Sequence, residues 1–136
     1  MATEKTYAMI KPDAVRAGNI GKIIDRIEKA GFNIVAMKKL QMTKDLAEQF
    51  YAVHSERPFY GELVDFITSG PVVGMVLEKD GAIVAWRDLM GATNPDEAAE
   101  GTLRKLYAED IGKNAVHGSD ATGTAETEIG LIFPEL

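Results

Sequence analysis

Apolar and polar residues follow two different periods along the chain, and each change of period marks the end of an element. The apolar run Thr6–Ile10 ends at Lys11-Pro12-Asp13, a pattern typical of a short buried strand that proline terminates. Between Ile20 and Ala30 the isoleucines recur at helical spacing, and Gly31 follows as the residue favoured just beyond a helix. Alternation resumes over Phe32–Met42 and predicts a second strand.

The middle of the chain predicts a helical hairpin followed by a strand and a helix. Thr43 is a suitable N-cap for the first helix, and Arg57-Pro58-Phe59-Tyr60 interrupts the helical pattern before the second. The predicted elements are helices from Thr43 to Tyr51 and over Leu63–Ile67, a strand over Val72–Leu77, a turn over Glu78–Gly81 and a helix over Ala82–Met90. The aromatic side chains of Phe59 and Tyr60 suit either core packing or a wall on which a planar ligand stacks.

A long connection over Gly91–Lys113 precedes the last strand. Within it, Asn94-Pro95-Asp96-Glu97 has the residues of a helix start and predicts one helical turn, and Thr102–Ala108 predicts a second short helix. A short strand over Ala115 and Val116 then meets a turn at Gly118-Ser119-Asp120. Connections of this length are usually functional or disordered, and the apolar residues in this one favour order.

A C-terminal helix marked by Ala125, Ile129 and Ile132 completes the order βαββαβ, once the extra helices are set aside. This order predicts an α+β, ferredoxin-like fold with a four-stranded antiparallel sheet and helices on one face. The helical hairpin is an insertion in this scheme, and the long connection is a loop before the last strand.

Composition narrows the class of protein. The chain has 136 residues, of which 46% are hydrophobic and 26% charged, so a single domain over residues 1–136 with an ordinary core is expected. A net charge of −6 disfavours nucleic acid as a main partner, but it permits a small anionic ligand in a locally basic cleft. The absence of cysteine excludes a disulfide framework, a thiolate zinc site and a cysteine nucleophile. No signal-like segment or membrane-length apolar run is visible, so a cytoplasmic location is expected.

His117 is one of two histidines in the chain and lies where the last predicted strand meets a turn. A side chain at such a junction is held by the strand behind it and is open to solvent in front. Imidazole keeps a lone pair on one nitrogen at neutral pH, so it can attack phosphorus without a separate base. The same setting also suits a packed core histidine. His54, on the helical hairpin, is interpreted as a surface or packing residue.

Glycine-based phosphate loops and metal-binding motifs are absent from the sequence. It contains neither the G-x-x-x-x-G-K-[ST] loop nor the G-x-G-x-x-G fingerprint, and its two histidines have no spacing typical of metal ligands. Any Mg²⁺ is therefore expected to arrive on the phosphates of a substrate rather than in a site built from protein side chains.

Five motifs in order along the chain resemble the nucleoside diphosphate kinase family. They are Lys11-Pro12-Asp13, Arg57-Pro58-Phe59, Met90-Gly-Ala-Thr-Asn-Pro95, Gly101-Thr-Leu-Arg104 and Asn114-Ala-Val-His-Gly-Ser-Asp120. The last motif is highly specific, and the resemblance extends over the whole chain. It implies transfer of the γ-phosphoryl of a nucleoside triphosphate, typically ATP, to a nucleoside diphosphate. The implied route is ping-pong through a phosphohistidine, with broad tolerance of base and sugar.

The resemblance also implies roles for individual residues. His117 would be the nucleophile, Glu128 would orient its ring, and Tyr51 would lie near the transferred group. The implied nucleotide-binding residues are Lys11 and Asn114 at the ribose hydroxyls, with Lys11 also near phosphate, then Arg87, Thr93 and Arg104 at the phosphates, and Phe59 and Ile111 on the two faces of the base. Mg²⁺ is the implied cofactor, and a homo-oligomer, either tetramer or hexamer, is the implied assembly.

Two residues differ from the pattern of the family. Lys113 stands where arginine is common, which would alter salt bridges in the loop, and Ala121 stands where serine often follows, at the start of the last helix. Two other functions fit the sequence less well than the kinase. A nucleic-acid-binding module is disfavoured by the acidic charge. A non-catalytic assembly domain is disfavoured by the intact set Lys11, Arg87, Arg104, Asn114 and His117.

Overall fold

Four antiparallel strands form the centre of the protein. The computed structural model describes residues 3–110 and 113–136 of the chain. The strands are β1 (Thr3–Ile10), β2 (Asn33–Leu40), β3 (Val72–Asp80) and β4 (Val116–Gly118), and they lie in the order β2-β3-β1-β4. Every neighbouring pair is antiparallel, which confirms the predicted α+β, ferredoxin-like sheet.

Helices fill the connections between the strands. They are α1 (Pro12–Arg16), α2 (Ile20–Lys29), α3 (Lys44–Phe50), a 3-10 helix (Ala52–His54), α4 (Tyr60–Ile67), α5 (Ala82–Met90), α6 (Leu103–Tyr107) and α7 (Thr122–Ile132). Within the described ranges, no helix has both the length and the apolar character that crossing a membrane requires.

Apolar side chains cover both faces of the sheet, so the expectation of helices on one face is wrong. In the central strand β1, Ala8 and Ile10 belong to a core shared with α2 and α5, whereas Tyr7 and Met9 belong to a second core shared with α3, α4 and α7. Successive residues of a strand point to opposite faces, so an uninterrupted apolar run requires a partner on each side. The run at the end of β1 therefore requires two helical layers.

Local sequence signals account for the start of α3 and the end of α2. The Thr43 hydroxyl accepts a hydrogen bond from the Leu46 N–H at 3.1 Å, which confirms the predicted N-cap of α3. Beyond α2, Gly31 has a φ of 89°, a left-handed conformation. The N–H groups of Gly31 and Phe32 donate to the carbonyls of Glu28 and Ile27, which closes the helix as a Schellman motif.

The structure differs from the prediction at several places. Strand β3 continues through Glu78–Asp80, where a turn was predicted, because these charged residues pair with the exposed start of β1. Pro12 does not simply end β1 but also begins α1, a position where its missing N–H costs nothing. At Asn94–Glu97 there is a hydrogen-bonded turn rather than a helical turn, and the Asn94 side chain accepts from the Asp96 N–H at 3.0 Å.

Candidate active site

His117 lies in the middle of the short edge strand β4. Its register partner in β1 is Met9, and the flanking pairs are Ile10 with Val116 and Ala8 with Gly118. The His117 side chain keeps 22% of its surface exposed, so it is held by the sheet but accessible from one side. The expected strand-to-turn setting is thus present, although Gly118 belongs to the strand.

The turn before β4 is centred on Ala115. This residue was predicted to lie in the strand, but the strand begins one residue later. Ala115 has a φ of 73°, and the Val116 N–H donates to the Asn114 carbonyl at 2.8 Å, as in a classical γ-turn. The Ala115 N–H donates to Asp13 Oδ2 at 3.0 Å, and the Ala115 carbonyl accepts from the Lys11 N–H at 2.8 Å. These bonds fix the loop that carries the histidine against the end of β1. Burial raises the pKa of the Asp13 carboxyl.

Glu128 on α7 holds one nitrogen of the His117 ring. Both Glu128 carboxylate oxygens lie 3.2 Å from His117 Nε2, and the buried Ser119 hydroxyl donates to Glu128 Oε1 at 2.6 Å. A phenyl ring, Phe50, packs at 5.1 Å between centroids against the imidazole. The carboxylate therefore receives donors from two sides, and the imidazole plane is fixed by both hydrogen bonding and packing.

Tyr51 and His54 line the same cleft as His117. This cleft of about 170 Å³ is bounded by side chains from α3, the 3-10 helix and α7, together with Asp120. Burial, and secondarily the Glu128 charge, raise the pKa of the Tyr51 hydroxyl, so it is a neutral O–H group at neutral pH. Both the position of Tyr51 and that of His54 are therefore compatible with a ligand bound at His117.

Lys11 and Asn114 form a buried pair beside the γ-turn. Lys11 Nζ donates to Asn114 Oδ1 at 2.8 Å, and the Asn114 amide donates to the Thr93 carbonyl at 3.4 Å. Burial, together with the nearby Arg104 charge, lowers the pKa of Lys11 to about 8. The structure thus brings these residues together from three distant parts of the chain.

Arg104 contacts the backbone of strand β4 and lies close to this buried pair. Its guanidinium donates to the carbonyls of Gly91 and Val116, each at 3.0 Å, and Val116 directly precedes His117. Burial lowers the pKa of Arg104 to about 10, so it stays charged at neutral pH. Its Nε, also buried, has no hydrogen-bond partner among the described residues.

Arg104 also lines a second cleft of about 540 Å³, which contains the exposed side chains of Arg87 and Thr93. The three residues expected at the phosphates therefore share one cleft, and Arg104 joins it to β4. A larger cavity of about 760 Å³ lies between the start of β1 and the end of α7. The side chains that line it include neither histidine nor arginine, so we assign no chemistry to it.

Phe59 lies at the N-terminal end of α4 with 42% of its surface exposed, so the core-packing interpretation of this ring is wrong. Its ring centroid lies 5.7 Å from that of His54, which in turn lies 6.4 Å from that of Tyr51. A row of three rings therefore extends from the cleft around His117 to Phe59. Ile111, expected on the opposite face of the base, lies outside the described residues.

Several contacts of the site were not predicted from the sequence. Ser119 bonds Glu128, and its signal in the sequence was its place in the motif Asn114–Asp120 that contains His117. His54 and Asp120 line the cleft, and Asp13 holds the γ-turn. The Trp86 indole, which bonds the His117 carbonyl, had no signal in the local sequence beyond its helical position.

Comparison with known proteins identifies the family of the chain. Residues 4–136 match the family described as nucleoside diphosphate kinase. The chain is 59% identical over 133 residues to the nucleoside diphosphate kinase of Rhodopseudomonas palustris (strain TIE-1), covering 98% of this chain and 95% of that protein. Among solved structures, the Aquifex aeolicus nucleoside diphosphate kinase superposes with a TM-score of 0.95 at 46% identity, covering 97% of this chain and 96% of that one.

A halophilic nucleoside diphosphate kinase from Halobacterium salinarum, solved in complex with CDP, superposes with a TM-score of 0.93 at 46% identity. That comparison covers 97% of this chain and 88% of the halophilic chain. The match extends over the residues that build the His117 cleft as well as over the sheet. The chain therefore belongs to the nucleoside diphosphate kinase family and is an enzyme.

Proposed function

We propose that His117 is the residue that carries the phosphoryl group in this enzyme, and that the group is bonded to Nδ1. The reaction of the family is transfer of the γ-phosphoryl of a nucleoside triphosphate to a nucleoside diphosphate, by a ping-pong route through phosphohistidine. The observation that supports the assignment is the contact of His117 Nε2 with the buried Glu128 carboxylate.

The choice of nitrogen follows from this contact. An ionised carboxylate can only accept hydrogen bonds, so Glu128 favours the tautomer in which Nε2 carries the proton. Nδ1 then keeps the lone pair. When Nδ1 attacks the γ-phosphorus, the bond between that phosphorus and the β–γ bridging oxygen breaks, and the diphosphate departs. The ring becomes positively charged, and Glu128 stabilises this charge while Nε2 keeps its proton.

The second half of the reaction is the reverse of the first with a different acceptor. The terminal oxygen of a nucleoside diphosphate attacks the phosphohistidine, the N–P bond breaks, and His117 returns to its neutral state. Because donor and acceptor occupy the same site in turn, recognition must depend on features that all nucleotides share. Phosphate, ribose and a flat base are those features.

We assign the basic residues of the site to the phosphates of the nucleotide. Lys11, Arg87 and Arg104 supply positive charge, and the Thr93 hydroxyl lies in the same cleft as the two arginines. Phosphoryl transfer depends chiefly on positioning and on neutralising the phosphate oxygens, which these groups provide. The buried Lys11–Asn114 pair offers an ammonium and an amide for the ribose hydroxyls. Tyr51 is assigned as a neutral donor near the transferred group.

The exposed Phe59 ring is assigned to one face of the base, and Ile111 to the other. Stacking does not distinguish strongly among bases, because each base has a π-face. Broad tolerance of base and sugar is the expected consequence. This tolerance is tested by steady-state assays with the four common nucleoside diphosphates as acceptors. A strong preference for one base would contradict it.

Mg²⁺ is the divalent ion that we assign to the reaction, as members of this family generally use a divalent metal. Within the described residues, no three His, Asp or Glu side chains gather in a group that could hold a metal. We expect such an ion to be held mainly by substrate phosphates, and Asp120, a carboxylate that lines the cleft around His117, would be available to it. When bound, the ion would neutralise phosphate charge.

We further assign a homo-oligomer, tetramer or hexamer, made of single-domain chains over residues 1–136, in the cytoplasm. The edge strand β2 exposes 38% of Val35 and 50% of Met37, and apolar residues on an unpaired edge favour association. Mass measurement of the native assembly at several concentrations tests this, and a monomer at micromolar concentration would contradict it.

The proposed nucleophile is tested by labelling. The protein is mixed with γ-labelled ATP and Mg²⁺, quenched in alkali, and chased in a second sample with GDP. We expect acid-labile label that transfers to GDP in the wild type and in a His54→Gln control, and no label in His117→Ala. Because the chain has two histidines, these two variants decide the site of labelling. Label that persists in folded His117→Ala would contradict the assignment.

A further inference from the structure

Trp86, the single tryptophan of the chain, bonds the main chain of His117. Its indole Nε1 donates to the His117 carbonyl oxygen at 3.1 Å, and its side chain is fully buried in helix α5. A buried indole N–H requires an acceptor, and many carbonyls of the core would satisfy it. In this protein the acceptor belongs to the residue that we assign as the nucleophile.

Side-chain hydrogen bonds add to the backbone pairing that holds strand β4 against β1. It is an edge strand of three residues, and β1 is its neighbour in the sheet on one side. Two consecutive carbonyls of β4 accept from side chains: Val116 from Arg104, and His117 from Trp86. Arg104 lines the cleft that also contains Arg87 and Thr93, whereas Trp86 lines neither that cleft nor the cleft around His117.

Gly118 makes the close approach of Trp86 possible. A Cβ at Gly118 would collide with the indole ring and would lie 2.9 Å from Met90 Cε, so only glycine lets the strand lie against α5. The indole also packs edge-on against Phe32, with centroids 6.1 Å apart. Helix α5 is itself tied to β1, because the Ile83 N–H donates to Glu4 Oε1 at 2.9 Å.

We propose that Trp86 is a positioning residue for phosphoryl transfer, acting through its indole N–H on the backbone of His117. It sets the depth of β4 against α5, and thereby the distance from His117 Nδ1 to the phosphorus. An error of about 1 Å in such a distance is enough to slow a reaction by roughly 10²-fold. This inference rests on the assignment of His117 as nucleophile. It concerns the rate of transfer and not the binding of nucleotide.

The sharpest test removes the N–H and keeps the shape. Because the chain has one tryptophan, 3-benzothienylalanine, in which sulfur replaces the N–H, can be placed at position 86 alone. The rate of His117 phosphorylation at saturating ATP is measured in a single turnover, and ADP affinity is measured by calorimetry. We expect phosphorylation to slow by about fivefold or more, as for loss of one hydrogen bond, with the Kd for ADP within twofold of the wild type.

Two natural substitutions complete the test. Trp86→Phe also removes the N–H and should slow phosphorylation at least as much. Phe32→Leu weakens the packing against the indole but keeps the indole N–H, so it should lower the melting temperature and leave the phosphorylation rate unchanged. Equal slowing in Phe32→Leu would show that Trp86 acts only through core packing and would overturn the proposal.

An unchanged rate in the folded benzothienylalanine protein would also overturn it, whatever Trp86→Phe does. The wild type is labelled in parallel. Failure of the wild type to label His117 would instead refute the proposed nucleophile, so the two failures are distinguishable.

Discussion

Replacement of Glu128 by glutamine isolates the charge that we assign to stabilising the phosphorylated ring. The variant keeps the size of the side chain, and its amide oxygen can still accept from the Ser119 hydroxyl, which lies 2.6 Å from Glu128 Oε1. It can also still accept from one ring nitrogen. What it loses is the negative charge beside His117 Nε2.

The magnitude follows from the separation and the burial. At the 3.2 Å between His117 Nε2 and Glu128, two unit charges interact by roughly 5 kcal/mol for an effective dielectric constant of about 20. This is an upper limit, because the glutamine dipole recovers part of it. Hydrogen bonds to charged groups contribute about 1.5–3 kcal/mol net. Since about 1.4 kcal/mol is tenfold in rate, Glu128→Gln should slow phosphorylation roughly 10- to 100-fold.

The assay is rapid-quench labelling of His117 with γ-labelled ATP, with ADP affinity measured separately. Glu126→Gln is the matched control, because Glu126 lies exposed on the same helix and the same charge is removed. We expect the control to behave as the wild type and both variants to bind ADP normally. A phosphorylation rate in Glu128→Gln within threefold of the wild type would refute the proposed role of the carboxylate.

Three further predictions concern the cations and the last helix. The pKa of Lys11 is lowered to about 8 in the free protein, so Lys11 loses its positive charge above that pH. ADP affinity should therefore be constant below pH 8 and fall above it by up to about tenfold per pH unit. The affinity is measured by calorimetry over pH 6.5–9.5, and a flat profile would contradict this prediction. Arg104→Ala should lower the affinity for ADP and for GDP equally, by at least about tenfold, because charge-assisted hydrogen bonds to phosphate are lost. A changed base preference at unchanged affinity would refute the assignment of Arg104. Ala121 occupies the N-cap of α7 and has no side-chain oxygen that could accept a hydrogen bond there. Ala121→Ser should therefore raise the free energy of unfolding, measured in urea, by about 1 kcal/mol. An unchanged or lower free energy of unfolding would contradict this account.

The elements that could be predicted have their signals within a few residues. Thr43 precedes its helix directly, and the helix over Ala82–Met90 has the predicted bounds because a glycine lies on each side of it. The failures are positions where one residue type suits two structures. Pro12 suits the end of a strand and also the start of a helix, and charged Glu78–Asp80 suit a turn and also the exposed end of an antiparallel pair.

The residues of the site could be predicted because the motifs that contain them resemble those of a known family. The geometry of the site could not be predicted from the sequence. The structure brings Lys11, Asn114 and Arg104 near His117, and these residues come from the ends of different elements. The hydrogen bond from Trp86 to His117 depends on how α5 crosses the sheet, which no local sequence pattern specifies. The left-handed turn at Ala115 was also missed, because alanine has no preference for that conformation and long-range bonds to Asp13 and Lys11 hold it.

The most direct test of the account is to identify the nitrogen that becomes phosphorylated. The protein is prepared with ¹⁵N-labelled histidine, phosphorylated with ATP and Mg²⁺, and studied by NMR for one-bond coupling between ¹⁵N and ³¹P. We predict coupling at Nδ1 of His117, with Nε2 still protonated against Glu128. Coupling at Nε2 of His117, or at either nitrogen of His54, would contradict the account.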